Sequence, residues 1–117
     1  MVAPNLRSPT LILGKTAAMV STETPTALLA NPADSGLVLK VNSLRLAAGE
    51  LSAIVTLSIN HGGSDYTLLD GVAIEGASMM IVLNKDEYLY LEEGDSIAVS
   101  NGATGSVTAV VSYEEIS

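Results

Sequence analysis

Few residues in this chain can do chemistry. His61 is the only histidine, and there is no cysteine. The first fact excludes a multi-histidine zinc site. The second excludes a disulfide framework, thiolate metal ligands and a cysteine nucleophile. A Ser–His–Asp triad needs one histidine, and Ser64 and Asp65 follow His61 closely. Residues three and four apart in a hairpin loop rarely reach triad geometry, however, and no Gly-x-Ser-x-Gly elbow is present. His61 reads as a polar turn residue.

Carboxylates are plentiful but badly spaced for acid–base work. They occur as the adjacent pairs Asp86/Glu87, Glu92/Glu93 and Glu114/Glu115. Glycoside hydrolysis needs two carboxylates facing each other across a cleft, and neighbours on a strand point to opposite faces. These pairs read as solvated turn and edge positions. The loops carrying Asp86, Glu87, Glu92, Glu93 and Asp95 hold enough oxygens for calcium, but the EF-hand spacing is missing. Gly62-Gly63 and Gly102-x-x-Gly105 belong to β-turns, and no Gly-Lys-Ser/Thr follows either, so they are not nucleotide loops. No catalytic, cofactor-binding or metal-ligating residue is assigned, and no enzymatic activity or cofactor is expected.

The bulk composition narrows the partners. Phe and Trp are absent, and Tyr66, Tyr88, Tyr90 and Tyr113 are the only aromatics. The core must be aliphatic, and little material remains for stacking sugars or bases. A net charge of −8 repels a phosphate backbone, so no nucleic-acid partner is expected. Scattered acids of this kind keep a concentrated protein soluble. No run approaches the roughly 20 apolar residues of a membrane-spanning helix, so no membrane partner is expected. The start, Met1 to Pro9, lacks the apolar stretch of a signal peptide. The expectation is a protein that stays where it is made and leaves only by cell lysis.

The elements that position these residues read as strands. Residues 1–9 carry Pro4 and Pro9 and are expected to form an extended N-terminal arm, with residues 10–117 as one domain. Thr10 to Val20 is an apolar, β-branched run broken at Gly14. Thr26 to Ala30 is a short run, and residues 31–36 are a dense turn signal. In Gly36 to Leu46 the alternation of Leu37, Leu39 and Val41 slips to Leu44 and Leu46, which predicts a β-bulge near Asn42 and Ser43. Leu44 to Leu51 has helix-forming residues, but Gly49 interrupts it and strand patterns flank it. Ala53, Val55, Leu57 and Ile59 alternate with polar residues, apart from Ile54. His61 to Asp65 is expected as a five-residue hairpin loop, with Tyr66 to Leu69 returning. Val72 to Ile74 reads as a separate run, and Met79 to Leu83 is apolar throughout, so it should be buried on both faces. Tyr88 to Leu91, Ser96 to Ser100 and Ser106 to Tyr113 complete the series, and Gly94 sits where positive φ is needed.

These features predict an all-β, antiparallel β-sandwich, jelly-roll or immunoglobulin-like, of about eight strands. Its core should hold Leu39, Val41, Val55, Leu57, Ile59, Ile81, Leu83, Leu89, Leu91, Ile97, Val99, Val107 and Val111.

Three segments carry a family resemblance. They are Leu28 to Leu44, Tyr88 to Ile97, and the ending Val110 to Ser117. Together they resemble small virion structural proteins of tailed bacteriophages, particularly those of marine and cyanobacterial hosts. The resemblance implies a subunit present in many copies on a virion. Capsid decoration (cement) is the first expectation, with contacts to the major capsid protein or other virion subunits. A neck or tail subunit is the alternative. A glycan- or receptor-binding fibre module is a third reading, opposed by the scarce aromatics. The expected state is a homo-oligomer, with a trimer favoured by analogy with three-fold positions on a head lattice.

Overall fold

In a computed structural model, the structure describes Leu6, Ser8, Pro9 and residues 11–117. The expected arm at residues 1–9 lies mostly outside the described residues. Nine strands follow one another: β1 (Ile12–Val20), β2 (Thr26–Ala30), β3 (Val38–Ala48), β4 (Ala53–His61), β5 (Ser64–Ile74), β6 (Met79–Leu83), β7 (Leu89–Leu91), β8 (Ser96–Asn101) and β9 (Val107–Ile116). A single 3₁₀ turn, Lys85–Glu87, separates β6 from β7.

The strands form two antiparallel sheets. One runs β1-β9-β3-β6 and the other β2-β8-β4-β5. Strand β9 covers one edge of β3 along Val38–Ala48, so β6 and β7 share the opposite edge. The inner faces meet in an aliphatic core that includes Val41, Leu44, Leu46, Val55, Leu57, Leu91, Ile97, Val99 and Val111, all fully buried. This is the β-sandwich that the strand periodicity predicts.

The slip in β3 is a bulge. Its register with β9 shifts between Val41 and Ser43, which keeps Leu39, Val41, Leu44 and Leu46 all facing inward. Without the extra residue the second pair would face solvent. At the far corner, Ser21 is buried. Its backbone N–H donates to Val107 O (2.8 Å), its hydroxyl donates to Asn101 Oδ1 (2.7 Å), and the same oxygen accepts from Val107 N (2.9 Å). It joins the end of β1 to both sheets.

Several expectations need correction. β1 is not broken at Gly14, which pairs with Glu114 inside a continuous ladder to β9. The hairpin after β4 is tighter than five residues: only Gly62 and Gly63 turn, at φ 61° and 84°, the positive values of a type I′ turn. Val72–Ile74 is not a separate strand. It belongs to β5, which continues through a register shift near Gly71 (φ 62°).

The largest correction concerns β6. Ile81 is 55% exposed, and so is Met79 at 54%. An unbroken apolar run suggests burial on both faces, but β6 is an edge strand whose outer face nothing covers. Only Met80, Val82 and Leu83 pack partly against the core, as do Ile59 and Leu89. The expected core also leaves out Leu28, Leu29, Val38, Leu44, Leu46, Ala53, Ile74, Ala109 and Ile116, all of which are buried.

Candidate functional site

His61 ends β4, and its position follows from the ladder to β8. Asn60 pairs with Ser96, so one residue further out His61 comes level with Asp95. His61 Nδ1 lies 2.7 Å from Asp95 Oδ2, and Nε2 lies 3.7 Å from Glu92 Oε2. Glu92 and Asp95 bound the β7–β8 turn, closed at Gly94 with φ 87° as its position in the sequence requires. Asp95 is 3% exposed, whereas the side chains of His61 and Glu92 are 52% and 68% exposed.

The buried carboxylate is heavily committed. Asp95 Oδ1 accepts from Gly62 N (3.3 Å), and Oδ2 accepts from Glu92 N (3.0 Å) as well as from His61. Its backbone carbonyl accepts from Asn31 N, and Gly94 N donates to Asn31 O, both at 2.8 Å. Asn31 is buried too. Its Nδ2 donates to Leu37 O (2.9 Å) and Leu91 O (3.0 Å), and its Oδ1 accepts from Ser35 Oγ (2.6 Å). Asp95 and Asn31 thus stitch the 31–37 loop, the β4–β5 turn and the β7–β8 turn into one end of the sandwich.

The sequence neighbours of His61 do not join it. Ser64 is its ladder partner in β5, and Asp65 Oδ1 accepts from Asn60 Nδ2 (2.9 Å). Among the described residues no hydroxyl is hydrogen-bonded to either ring nitrogen. His61 and Asp95 form a dyad without a nucleophile.

As a metal centre, His61, Glu92 and Asp95 could each offer one ligand atom, all within 4.8 Å of one another. Asp95 Oδ2 would have to give up His61 to do so. Asp86, Glu87 and Glu93, which the sequence suggests for calcium, are not part of this group. Glu114 instead accepts from Asn42 Nδ2 (2.9 Å), and Glu115 pairs with Lys15 (2.9 Å).

The hydrogen bond and negative charge of Asp95 raise the His61 pKa above its ordinary value; desolvation opposes this, and Glu92 adds a smaller increase. A pKa raised on folding stabilises the fold fully below the unfolded value, about 6.5, and the contribution is lost as pH rises through the higher folded value. His61→Ala is therefore expected to melt below the parent near pH 6, with the gap narrowing as pH rises through and above the folded value. Parallel thermal melts of the two proteins across that range check this; a gap that widens with pH contradicts it.

The second candidate is a strand edge. β1 is paired on one side by β9 along its whole length. Its other side pairs with no strand among the described residues. Leu11, Ile12, Leu13 and Val20 are 52%, 50%, 42% and 58% exposed. A long apolar edge is a ready template for pairing with another chain.

No protein-family model matches the chain, and no curated protein matches it. A solved structure described as "Bacillus endospore appendages form a novel family of disulfide-linked pili" is similar in fold. It has a TM-score of 0.55 and 10% sequence identity, over 100% of this chain and 97% of that one. At that identity the likeness shows the β-sandwich fold alone. The present chain has no cysteine and cannot form disulfide links.

Proposed function

We propose that this chain is a non-enzymatic structural subunit that acts in many copies, assembling with copies of itself through non-covalent contacts. The observation that carries this reading is the β1 edge, which no described strand pairs, with exposed Leu11, Ile12, Leu13 and Val20 along it. An isolated domain gains nothing from such an edge, whereas a subunit that pairs through it buries it. The likeness in fold to a pilus protein is compatible with that role.

The resemblance of residues 28–44, 88–97 and 110–117 to tailed-phage virion proteins supplies the setting. Decoration of the head is the first assignment, and a neck or tail position the second. The three-fold state rests on analogy with head lattices and not on the fold. Antibody labelling of intact particles tests the assignment. Copies scattered over the head support decoration, and label at one end supports neck or tail. Particles that carry no label remove the virion reading.

A further inference from the structure

A groove of about 350 Å³ lies on the outer face of the first sheet, against β6 and the 3₁₀ turn. Ile81 and Leu83 give it an apolar floor, and Lys40, Arg45 and Lys85 stand around it with a single acid, Glu114. The chain has only five Lys and Arg against thirteen Asp and Glu. Three of those five meet here, from β3 and from the turn. Among the described residues none of the three makes an ion pair, although Lys15 does. Lys40 stands over the ring of Tyr88, 4.5 Å from its centroid, and not on Glu114, its cross-strand neighbour, which takes Asn42 instead. In so acidic a protein, three cations that pair with no carboxylate among the described residues, gathered around one apolar groove, fit an acidic partner from outside the chain.

The rim beside the groove carries the complementary charge. Asp86 and Glu87 are exposed and form no ion pair among the described residues. Their backbone is held outward by Asn84, whose side chain accepts from Asp86 N (2.9 Å) and whose carbonyl accepts from Glu87 N (2.9 Å). Exposed Tyr88 follows them directly in the chain, and exposed Ile81 lies on the groove floor. A patch with both signs and an apolar centre is self-complementary, as a two-fold contact requires.

We propose that two copies of this chain pair through this patch, the Asp86–Glu87 rim of each entering the cationic groove of the other. The pairing rests on the reading of the chain as a self-assembling subunit and names one of its contacts. An inorganic anion would satisfy the cations but leave the apolar floor uncovered; a second copy does both. The contact leaves β1 open for other neighbours.

Two charge-reversed variants of the full chain test it by sedimentation at low salt. Arg45→Glu/Lys85→Glu makes groove and rim both acidic; Asp86→Lys/Glu87→Lys makes both basic. The four side chains are exposed, so circular dichroism and melting should match the parent. The parent should dimerise, less tightly as salt rises. Each variant alone should dimerise at least about tenfold more weakly. An equimolar mixture should recover a one-to-one dimer, because acidic groove then meets basic rim and the reverse. If both variants self-associate like the parent, the groove contact is wrong while self-assembly stands. If only the Arg45/Lys85 variant is weakened, the groove takes a different acidic surface and the reciprocal pairing fails. A mixture that stays monomeric also overturns it. A parent that is monomeric throughout removes both this contact and the self-assembly reading.

Discussion

Val55→Asp is expected to leave no cooperatively folded protein. Val55 is fully buried in the first half of β4, paired to Val72 of β5 and Asn101 of β8. Its side chain faces the opposite sheet, among aliphatic residues that cannot solvate a carboxylate. Burying an unpaired ionised group, or protonating it to avoid doing so, costs several kcal/mol. A domain of this size is stable by only about 5–15 kcal/mol, so the change removes most or all of the margin. Ile54→Asp is the paired control. Ile54 is the next residue, 48% exposed on the outer face. The same chemical change there should cost about 1 kcal/mol or less, since solvent reaches the new charge. Urea unfolding followed by circular dichroism compares the two. Equal losses at both positions would contradict the alternation that places them on opposite faces.

That alternation was legible because it needs only local information. A strand with one buried face writes period two into its residues, as Ala53, Val55, Leu57 and Ile59 show. The bulge in β3 was legible for the same reason: a one-residue insertion shifts the phase of Leu39 and Val41 against Leu44 and Leu46. What local pattern does not record is a strand's place in its sheet. Met79–Leu83 has the residues of a central strand and the exposure of an edge, because its neighbours were set by pairings with distant β3. β2 hides its core differently. Leu28 and Leu29 are consecutive and both buried, because the register with β8 slips between Ala27 and Leu29. The sites were the least legible. His61 meets Asp95 across 34 positions, and Lys85 meets Lys40 and Arg45 only because the chain returns to β3. Each was visible as a residue, but its partner was set by sheet order.

Asn31 shows how a turn residue can hide a structural role of this kind. In sequence it only opens a turn; in the fold it is 1% exposed and its side chain makes three hydrogen bonds. Asn31→Ala would leave the carbonyls of Leu37 and Leu91 without this donor and Ser35 Oγ without its acceptor. Each buried polar group left unsatisfied costs about 1–3 kcal/mol, so a loss of about 2–4 kcal/mol is expected. In a domain of this length that lowers the melting temperature by about 10 °C or more. Asn31→Asp separates the donors from the space they fill. It keeps the shape and can still accept from Ser35, but an ionised carboxylate has no hydrogen to give to either carbonyl and brings a second negative charge toward Asp95. It should be no more stable than the alanine variant. An aspartate variant that melts with the parent would show that the two donated bonds do not hold this end of the sandwich together.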